Sequence, residues 1–176
     1  SAGVPRSGYN AIIPTGLGNY PVVPNNAYVY GIDVANGATL TLNNNTHLNI
    51  YDEWTNAGSF TTNTALVEFK TCVDTSKWNS TTPIDVYDVK VNNEKGLIIS
   101  NGNLSIIDSL IFADGIIYND INEIVFKDGA NWIGASVNSH IDGEALKTGN
   151  DAFTFPIGDA GYYNPIGISA PSVITE

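Results

Sequence analysis

The chain of 176 residues is poor in several residue types that would otherwise restrict its function: it has one cysteine, one arginine and no methionine. Because Cys72 stands alone, no internal disulfide can form, and cysteine usage does not indicate the compartment. The lack of methionine even at position 1, and of a charged-then-apolar leader, leads us to expect a mature or excised segment of a longer protein. No stretch approaches the roughly 18 consecutive apolar residues of a membrane helix, so no membrane span is expected.

Positive charge is also scarce. Seven basic residues stand against 18 acidic ones, which gives a net charge of -11. With Arg6 as the only arginine, the chain offers a phosphate backbone almost nothing to bind, so nucleic acid is not an expected partner. The hydrophobic fraction of 43% suffices for the core of one domain. The acidic, lysine-poor and Asn/Thr/Gly-rich composition is typical of extracellular proteins and predicts that location.

The first segment, residues 1–27, is rich in proline, glycine and asparagine. Its four prolines, Pro5, Pro14, Pro21 and Pro24, exclude a long helix and predict an extended, turn-rich N-terminal cap. Within it, the run AIIP beginning at Ala11 could be one edge strand.

From Tyr28 onward the chain alternates in short trios. Leu40 and Leu42 flank a threonine, and Leu48 and Ile50 flank an asparagine, which is the periodicity of a strand in runs too short for a helix. The NG and NNNT sequences between the trios are turn formers.

The same order of trios recurs further along the chain. Leu40 aligns with Leu97 at an offset of 57 residues, and Leu48 aligns with Leu104 at an offset of 56. An offset this steady over some 40 positions indicates an internal repeat. We therefore predict two tandem repeats of about 57 residues within residues 28–130.

Two architectures suit such a repeat. We favour a right-handed parallel β-solenoid (β-helix), with rungs of roughly 20 residues, over a β-sandwich, which remains the alternative. The side chains predicted to point inward are Leu40, Leu42, Leu48, Ile50, Leu97, Ile99, Leu104 and Ile106. The corner asparagines, whose amides should bond to neighbouring coils, are Asn43 to Asn45, Asn92, Asn93, Asn101 and Asn103. Residues 131–176 form a C-terminal β block that either continues the solenoid or folds as a separate cap, and that is expected to lead into a longer chain.

The sequence resembles a series of motifs in surface proteins of Bacteroidetes that are secreted through the type IX system. IIPTGLGNYPVV, NGATLTL, EWTNAGSF and VEF follow one another as IPTG..NYP, SGATLTI, GNWTNNGTF and VTF do in that family. The block after residue 131 resembles the family's VxGxxxKxGxxxFxFPxG core. Its matching positions are Ile141, Gly143, Lys147, Gly149, Phe153, Phe155, Pro156 and Gly158. Departures include Glu53 where the family has glycine, and the stretch around Cys72.

The resemblance implies a large adhesin-like or gliding-related surface protein. On this basis we predict a non-enzymatic extracellular structural or adhesive module that contacts a cell-surface protein or polysaccharide. Two alternatives stay open: a carbohydrate-binding or carbohydrate-active β-helix, and a subunit or cargo of a surface secretion or motility assembly.

No catalytic site is predicted. The lysines are scattered in sequence, and no base accompanies a candidate nucleophile. The acidic pairs Asp85 with Asp88, and Asp114 with Asp120, could lie close together but are more typical of a solvated face. His47 and His140 have no second ligand at a metal-binding spacing, and both are predicted to be exposed or at corners.

Sugar stacking and calcium are the remaining possibilities. Trp54, Trp78 and Trp132 could present flat surfaces to a sugar, although Trp54 is better explained as core, and Tyr162 and Tyr163 are the best exposed candidates. No cofactor or metal is predicted. The one alternative is calcium at the acidic turns 149–152 or 158–161, which match no known calcium loop.

Overall fold

A computed structural model describes residues 8–71 and 73–173, in which the chain is all-β and coils into a parallel β-solenoid of about six turns. The predicted solenoid is therefore confirmed. The β-sandwich alternative is wrong, because strands of successive coils pair in parallel, and antiparallel pairs occur only near the C-terminal end of the described chain. Arg6, Cys72 and Glu176 lie outside the described residues.

The strands of the described chain are short. In chain order they are β1 (Ala11–Ile13), β2 (Val22–Val23), β3 (Ala27–Val29), β4 (Ile32–Val34), β5 (Thr39–Leu42), β6 (His47–Ile50), β7 (Glu53–Asn56), β8 (Ser59–Thr61), β9 (Leu66–Lys70), β10 (Ser76–Ser80), β11 (Asp85–Asn92), β12 (Leu97–Asn101), β13 (Leu104–Asp114), β14 (Ile117–Phe126), β15 (Asn131–Ile133), β16 (Ile141–Lys147), β17 (Phe153–Phe155), β18 (Ile157–Asp159), β19 (Tyr162–Tyr163) and β20 (Ile166–Ile168).

Pairing between coils arranges these strands into three faces. Face A stacks β1, β4, β7, β10 and β12, followed by the first parts of β14 and β16 and then by β18. Face B stacks β2, β5 and β8, and further along the solenoid the first parts of β11 and β13 with the last parts of β14 and β16. Face C stacks β3, β6 and β9, the last parts of β11 and β13, and β15.

The structural repeat is one coil and not the 57-residue unit. Ile32 pairs with Trp54 and Leu97 pairs with Ile117, so that one coil takes 22 or 20 residues at these points. Leu40 pairs with Phe60 on face B, whereas Leu97 lies on face A. The alignment at an offset of 57 is therefore wrong as a stacking register, because it superimposes residues of different faces.

The predicted inward side chains do form the core. All eight, from Leu40 to Ile106, are at most 2% exposed. Strands this short stay ordered because each inward side chain rests on its counterpart in the next coil. The clearest case is Trp54 on Trp78: their rings stack 5.5 Å apart at an interplanar angle of 8°, with neither side chain exposed. Burying a large apolar side chain contributes on the order of 1.5 to 3 kcal/mol.

Asparagine side chains connect the coils at the corners, as predicted. Asn93 is fully buried, and its Nδ2 donates to the Asp74 carbonyl and to Ser76 Oγ, both at 3.0 Å, while its Oδ1 accepts from Lys95 N at 3.1 Å. Asn44 does the same at another corner, where its Oδ1 accepts from Thr64. These bonds satisfy backbone groups that a turn between short strands would leave unpaired.

Close approach of the coils also requires glycine. Gly115 has a φ of 96°, and a Cβ there would collide with the carbonyl oxygen of Asn93 in the preceding coil. A left-handed backbone touching a neighbouring carbonyl suits no other residue.

Both end segments belong to the solenoid. The described part of the predicted cap forms the first coil, in which β1, β2 and β3 pair in parallel with β4, β5 and β6, and the predicted edge strand at Ala11 is β1. The C-terminal block continues the stacking through β15, β16 and β18, which decides the question that the sequence left open. Beyond these strands the antiparallel pairs β18–β19 and β17–β20 end the parallel ladder.

Candidate functional site

A bulge in β14 creates a groove on face A. Asn119 pairs with Gly143 and Glu123 pairs with Glu144, so residues 120–122 are extra on β14 and protrude from the corner between faces A and B. Ile121, in the middle of the bulge, is 85% exposed. A bulge in a ladder re-aims side chains and often borders a site.

The groove lies between the bulge and the outer side of face A, and encloses about 660 Å³. Its floor is a row of paired positions, Ile98, Tyr118 and Asp142, on three successive coils. Tyr118 is 40% exposed, and its ring edge occupies the space beside Gly96, where a Cβ would approach Tyr118 Cε2 to 2.9 Å. The glycine therefore leaves the room that this ring uses.

Hydrogen bonds hold the wall of the groove in place. Asn119 Nδ2 donates to the carbonyls of Asn122 and Glu144, both at 2.7 Å, and Asn122 Nδ2 donates to the Ile99 carbonyl at 3.0 Å. The bulge is thus tied to the coil before it and to the coil after it.

The polar lining of the groove is acidic or neutral. Asp120 and Asp142 carry the carboxylates, Ser100 and Asn122 add neutral groups, and the described lining includes no lysine, arginine or histidine. A ligand in this groove would meet an aromatic ring, apolar side chains and hydrogen-bond acceptors.

A second feature is a charged cluster on face C around Glu68. This carboxylate is only 1% exposed, and it lies 2.6 Å from His47 Nε2, 3.2 Å from Lys90 Nζ and 3.4 Å from Lys70 Nζ. Burial opposes its ionisation, but hydrogen bonds from Asn92 and Lys90 and the lysine charges prevail and lower the pKa of Glu68. Lysines that are scattered in sequence therefore converge here, which the sequence did not indicate.

A pair of aspartates lies beside this cluster on the same face. Burial, and next the neighbouring Asp108 carboxylate, raise the pKa of Asp88 to about 6, although Ser109 N donates to Asp88 Oδ1 at 3.0 Å. Asp108 in turn accepts from Ser109 Oγ at 3.1 Å. Two carboxyl groups this close can share one proton near neutral pH.

The acidic pairs suggested by the sequence have other surroundings. Asp85 forms an ion pair with Lys127 at 3.3 Å. Asp114 pairs with Asn92 at the end of face C, whereas Asp120 stands in the bulge between faces A and B. The relevant partner of Asp88 is Asp108, from the next coil, which no sequence spacing could reveal.

The two histidines differ. His47 is 30% exposed at its contact with Glu68, consistent with the predicted corner position. The prediction for His140 is wrong: the residue is fully buried, its Nδ1 lies 3.1 Å from the Ser136 carbonyl, and its ring packs near Tyr163. Gly158 permits this burial, because a Cβ at that position would strike the imidazole.

The predicted sugar platforms are mostly not available. Trp54 and Trp78 are core residues, and Trp132 is half-buried with its Nε1 donating to the Thr154 carbonyl. Tyr162 is 72% exposed as predicted, but Tyr163 is half-buried, and burial raises the pKa of its hydroxyl. The aromatic residue that lines a groove is Tyr118, which the sequence analysis did not single out.

The acidic turns proposed for calcium show other contacts. In the turn 149–152, Asp151 Oδ2 lies 3.4 Å from Lys147 Nζ and accepts from Gly129 N at 3.2 Å. Across the described residues, no group of three or more His, Cys, Asp or Glu side chains could hold a metal ion.

The block that resembles the Bacteroidetes core has a structural role in this chain. Lys147 is nearly buried and donates to the carbonyls of Lys127 and Thr148, at 2.9 and 2.8 Å. Phe153 packs on Phe126 of the preceding coil, with ring centroids 4.9 Å apart. These positions secure the last coils to one another, so their side chains serve packing.

Within residues 8–71 and 73–173, the chain has no helix long and apolar enough to cross a membrane. Comparison with protein families, with curated proteins and with solved structures found no match to this chain, so the resemblance to the Bacteroidetes surface proteins stays a prediction.

Proposed function

We propose that this chain is a non-enzymatic structural and adhesive module of an extracellular bacterial surface protein. The observation that carries the proposal is the continuous ladder of paired coils around one apolar core, from β1 to β18. A stack of this kind is stiff, because bending it would separate paired strands and expose side chains that are now fully buried.

The surface chemistry supports an extracellular adhesive role. A net charge of -11 keeps the module soluble and disfavours polyanionic partners. Paired strands provide a rigid scaffold, and the bulge on face A presents a groove from that scaffold. A cell-surface protein or a polysaccharide is the expected partner.

The proposal is tested by two assays on the whole chain. A glycan and surface-protein binding array should detect adhesion, and a reducing-end release assay on the glycans that bind should detect no turnover. Release of reducing ends that depends on protein concentration would contradict the non-enzymatic assignment.

A carbohydrate-active β-helix is the second candidate, and the Asp88–Asp108 pair favours it. A carboxyl group with a pKa of about 6 beside a second carboxylate has the chemistry of a general acid in sugar hydrolysis. If this candidate holds, the release assay should be positive for the native chain and negative for both Asp88→Asn and Asp108→Asn.

A further inference from the structure

We propose that the groove beside the β14 bulge binds an electrically neutral polysaccharide, with one sugar ring stacked on Tyr118. This inference rests on the adhesive function proposed above and specifies its partner and its site. It uses the floor residues Ile98, Tyr118 and Asp142 and the wall residues Asp120 and Ile121.

The first step is the shape and apolar character of the groove. The C–H face of a pyranose is apolar and flat, and it stacks on an aromatic ring that is held in place. Tyr118 supplies such a ring, fixed beside Gly96 on a paired strand. Ile98, at 36% exposure, and the exposed Ile121 extend the apolar surface on either side of it.

The second step is hydrogen bonding. Sugar hydroxyls are donors as well as acceptors, and the carboxylates of Asp120 and Asp142 accept strongly. Asp142 Oδ2 receives only a 3.4 Å contact from Ala160 N among its described hydrogen bonds, so the carboxylate retains acceptor capacity for a ligand. An apolar floor flanked by carboxylate acceptors is the arrangement that selects a polyhydroxylated ring over a purely apolar ligand.

The third step is charge, which separates neutral from acidic sugars. The two aspartates are unopposed by any basic side chain in the described lining, and the whole chain carries a net charge of -11. A uronate or a sulfated sugar would be repelled from this groove. The positive charges of the Glu68 cluster do not change this, because Lys70 and Lys90 lie on face C.

The fourth step is rigidity. The bonds from Asn119 and Asn122 fix the bulge against both neighbouring coils, so ligand binding would order little of the chain. A preformed site avoids much of the entropic cost of binding. No such groove is described around Tyr162, the more exposed aromatic residue, which makes that residue a suitable control.

The test measures binding of soluble polysaccharides to the whole chain by affinity electrophoresis and calorimetry. The probes are neutral β-glucan, xylan and mannan, and acidic alginate and polygalacturonate. We expect binding to at least one neutral probe and to neither acidic probe. Tyr118→Ala should weaken that binding about tenfold, whereas Tyr118→Phe, which keeps the ring, and Tyr162→Ala should leave it within about twofold.

Ile121→Asp provides a second variant that should not disturb folding, because the side chain is mostly exposed. It should weaken neutral-glycan binding by removing apolar wall, while circular dichroism shows an unchanged melting temperature. The inference is overturned if no neutral probe binds, if the acidic probes bind as tightly, or if Tyr118→Ala and Tyr162→Ala behave alike. Those results leave the adhesive function to the surface-protein array, whereas release of reducing ends would contradict the non-enzymatic function without displacing the ligand from the groove.

Discussion

Replacing Asp88 by asparagine should stabilise the protein at alkaline pH. In the folded chain the pKa of Asp88 is raised from 3.8 to about 6, first by burial and next by Asp108. The folded state therefore holds this proton more tightly than the unfolded state does. Stability falls as the pH rises from 3.8 to 6 and stays reduced above that range, where both carboxylates are charged.

The magnitude follows from the size of the shift. Two pKa units correspond to about 3 kcal/mol, but Asp88 is only partly buried, and solvent screening reduces this to about 1 kcal/mol. An asparagine fits the same space, and its Oδ1 can still accept from Ser109 N. Asp88→Asn should therefore raise the free energy of unfolding by about 1 kcal/mol at pH 8 and change it little at pH 3.5, below the unfolded pKa.

Thermal and urea unfolding at both pH values measure the effect, which at pH 8 corresponds to a rise of about 2 to 4 °C in melting temperature. Asp33→Asn, on the exposed side of β4, removes the same charge from a different surroundings and controls for the change in net charge. The reasoning fails if Asp88→Asn matches Asp33→Asn at both pH values, or if it destabilises the chain at pH 8.

Three further substitutions test the core, the corners and the Glu68 cluster through the free energy of unfolding. Trp54→Ala should cost about 3 to 5 kcal/mol, because it removes a fully buried ring from its stack on Trp78, and a loss below 1 kcal/mol would contradict the packing. Gly115→Ala should cost about 1 to 3 kcal/mol, since it adds a Cβ at a φ of 96° against the Asn93 carbonyl, and unchanged urea midpoints would argue against that contact. Glu68→Gln should cost about 1 to 3 kcal/mol at pH 7. Because the folded pKa of Glu68 lies below 4.5, this difference should shrink as the pH falls through it, and a difference that grows in acid would refute the sign.

Local patterns were sufficient for much of the fold. The Leu-x-Leu trios, such as the one at Leu40, carry their own periodicity, and it correctly indicated short strands and their inward side chains. Corner asparagines were also predictable, because NG and NNNT sequences form turns whatever lies in the next coil. The stacking register was not, since coils of 20 and of 24 residues alternate irregularly, as the pairs Leu97–Ile117 and Trp54–Trp78 show.

The sites were harder to predict, because each depends on residues from different coils. Asp88 and Asp108 meet across one coil, and Glu68 gathers Lys70 and Lys90 from two strands, at spacings that follow from the register and not from any motif. The Tyr118 groove depends on a bulge, and three extra residues in one strand leave no mark in the hydrophobic pattern. His140 was misjudged for a related reason: the glycine that accommodates its ring lies in the next coil.

The central claim is that successive coils stack in parallel, each on the one before. Because paired strands are about 4.7 to 4.9 Å apart, cysteines at the paired outer positions Thr55 and Asn79 can form a disulfide. With Cys72→Ser to remove the native thiol, Thr55→Cys/Asn79→Cys should oxidise completely in the folded chain, whereas Thr55→Cys/Ser109→Cys, on faces A and C, should stay reduced. A free thiol count that shows the first pair reduced, or the second pair oxidised, would contradict the stacked solenoid.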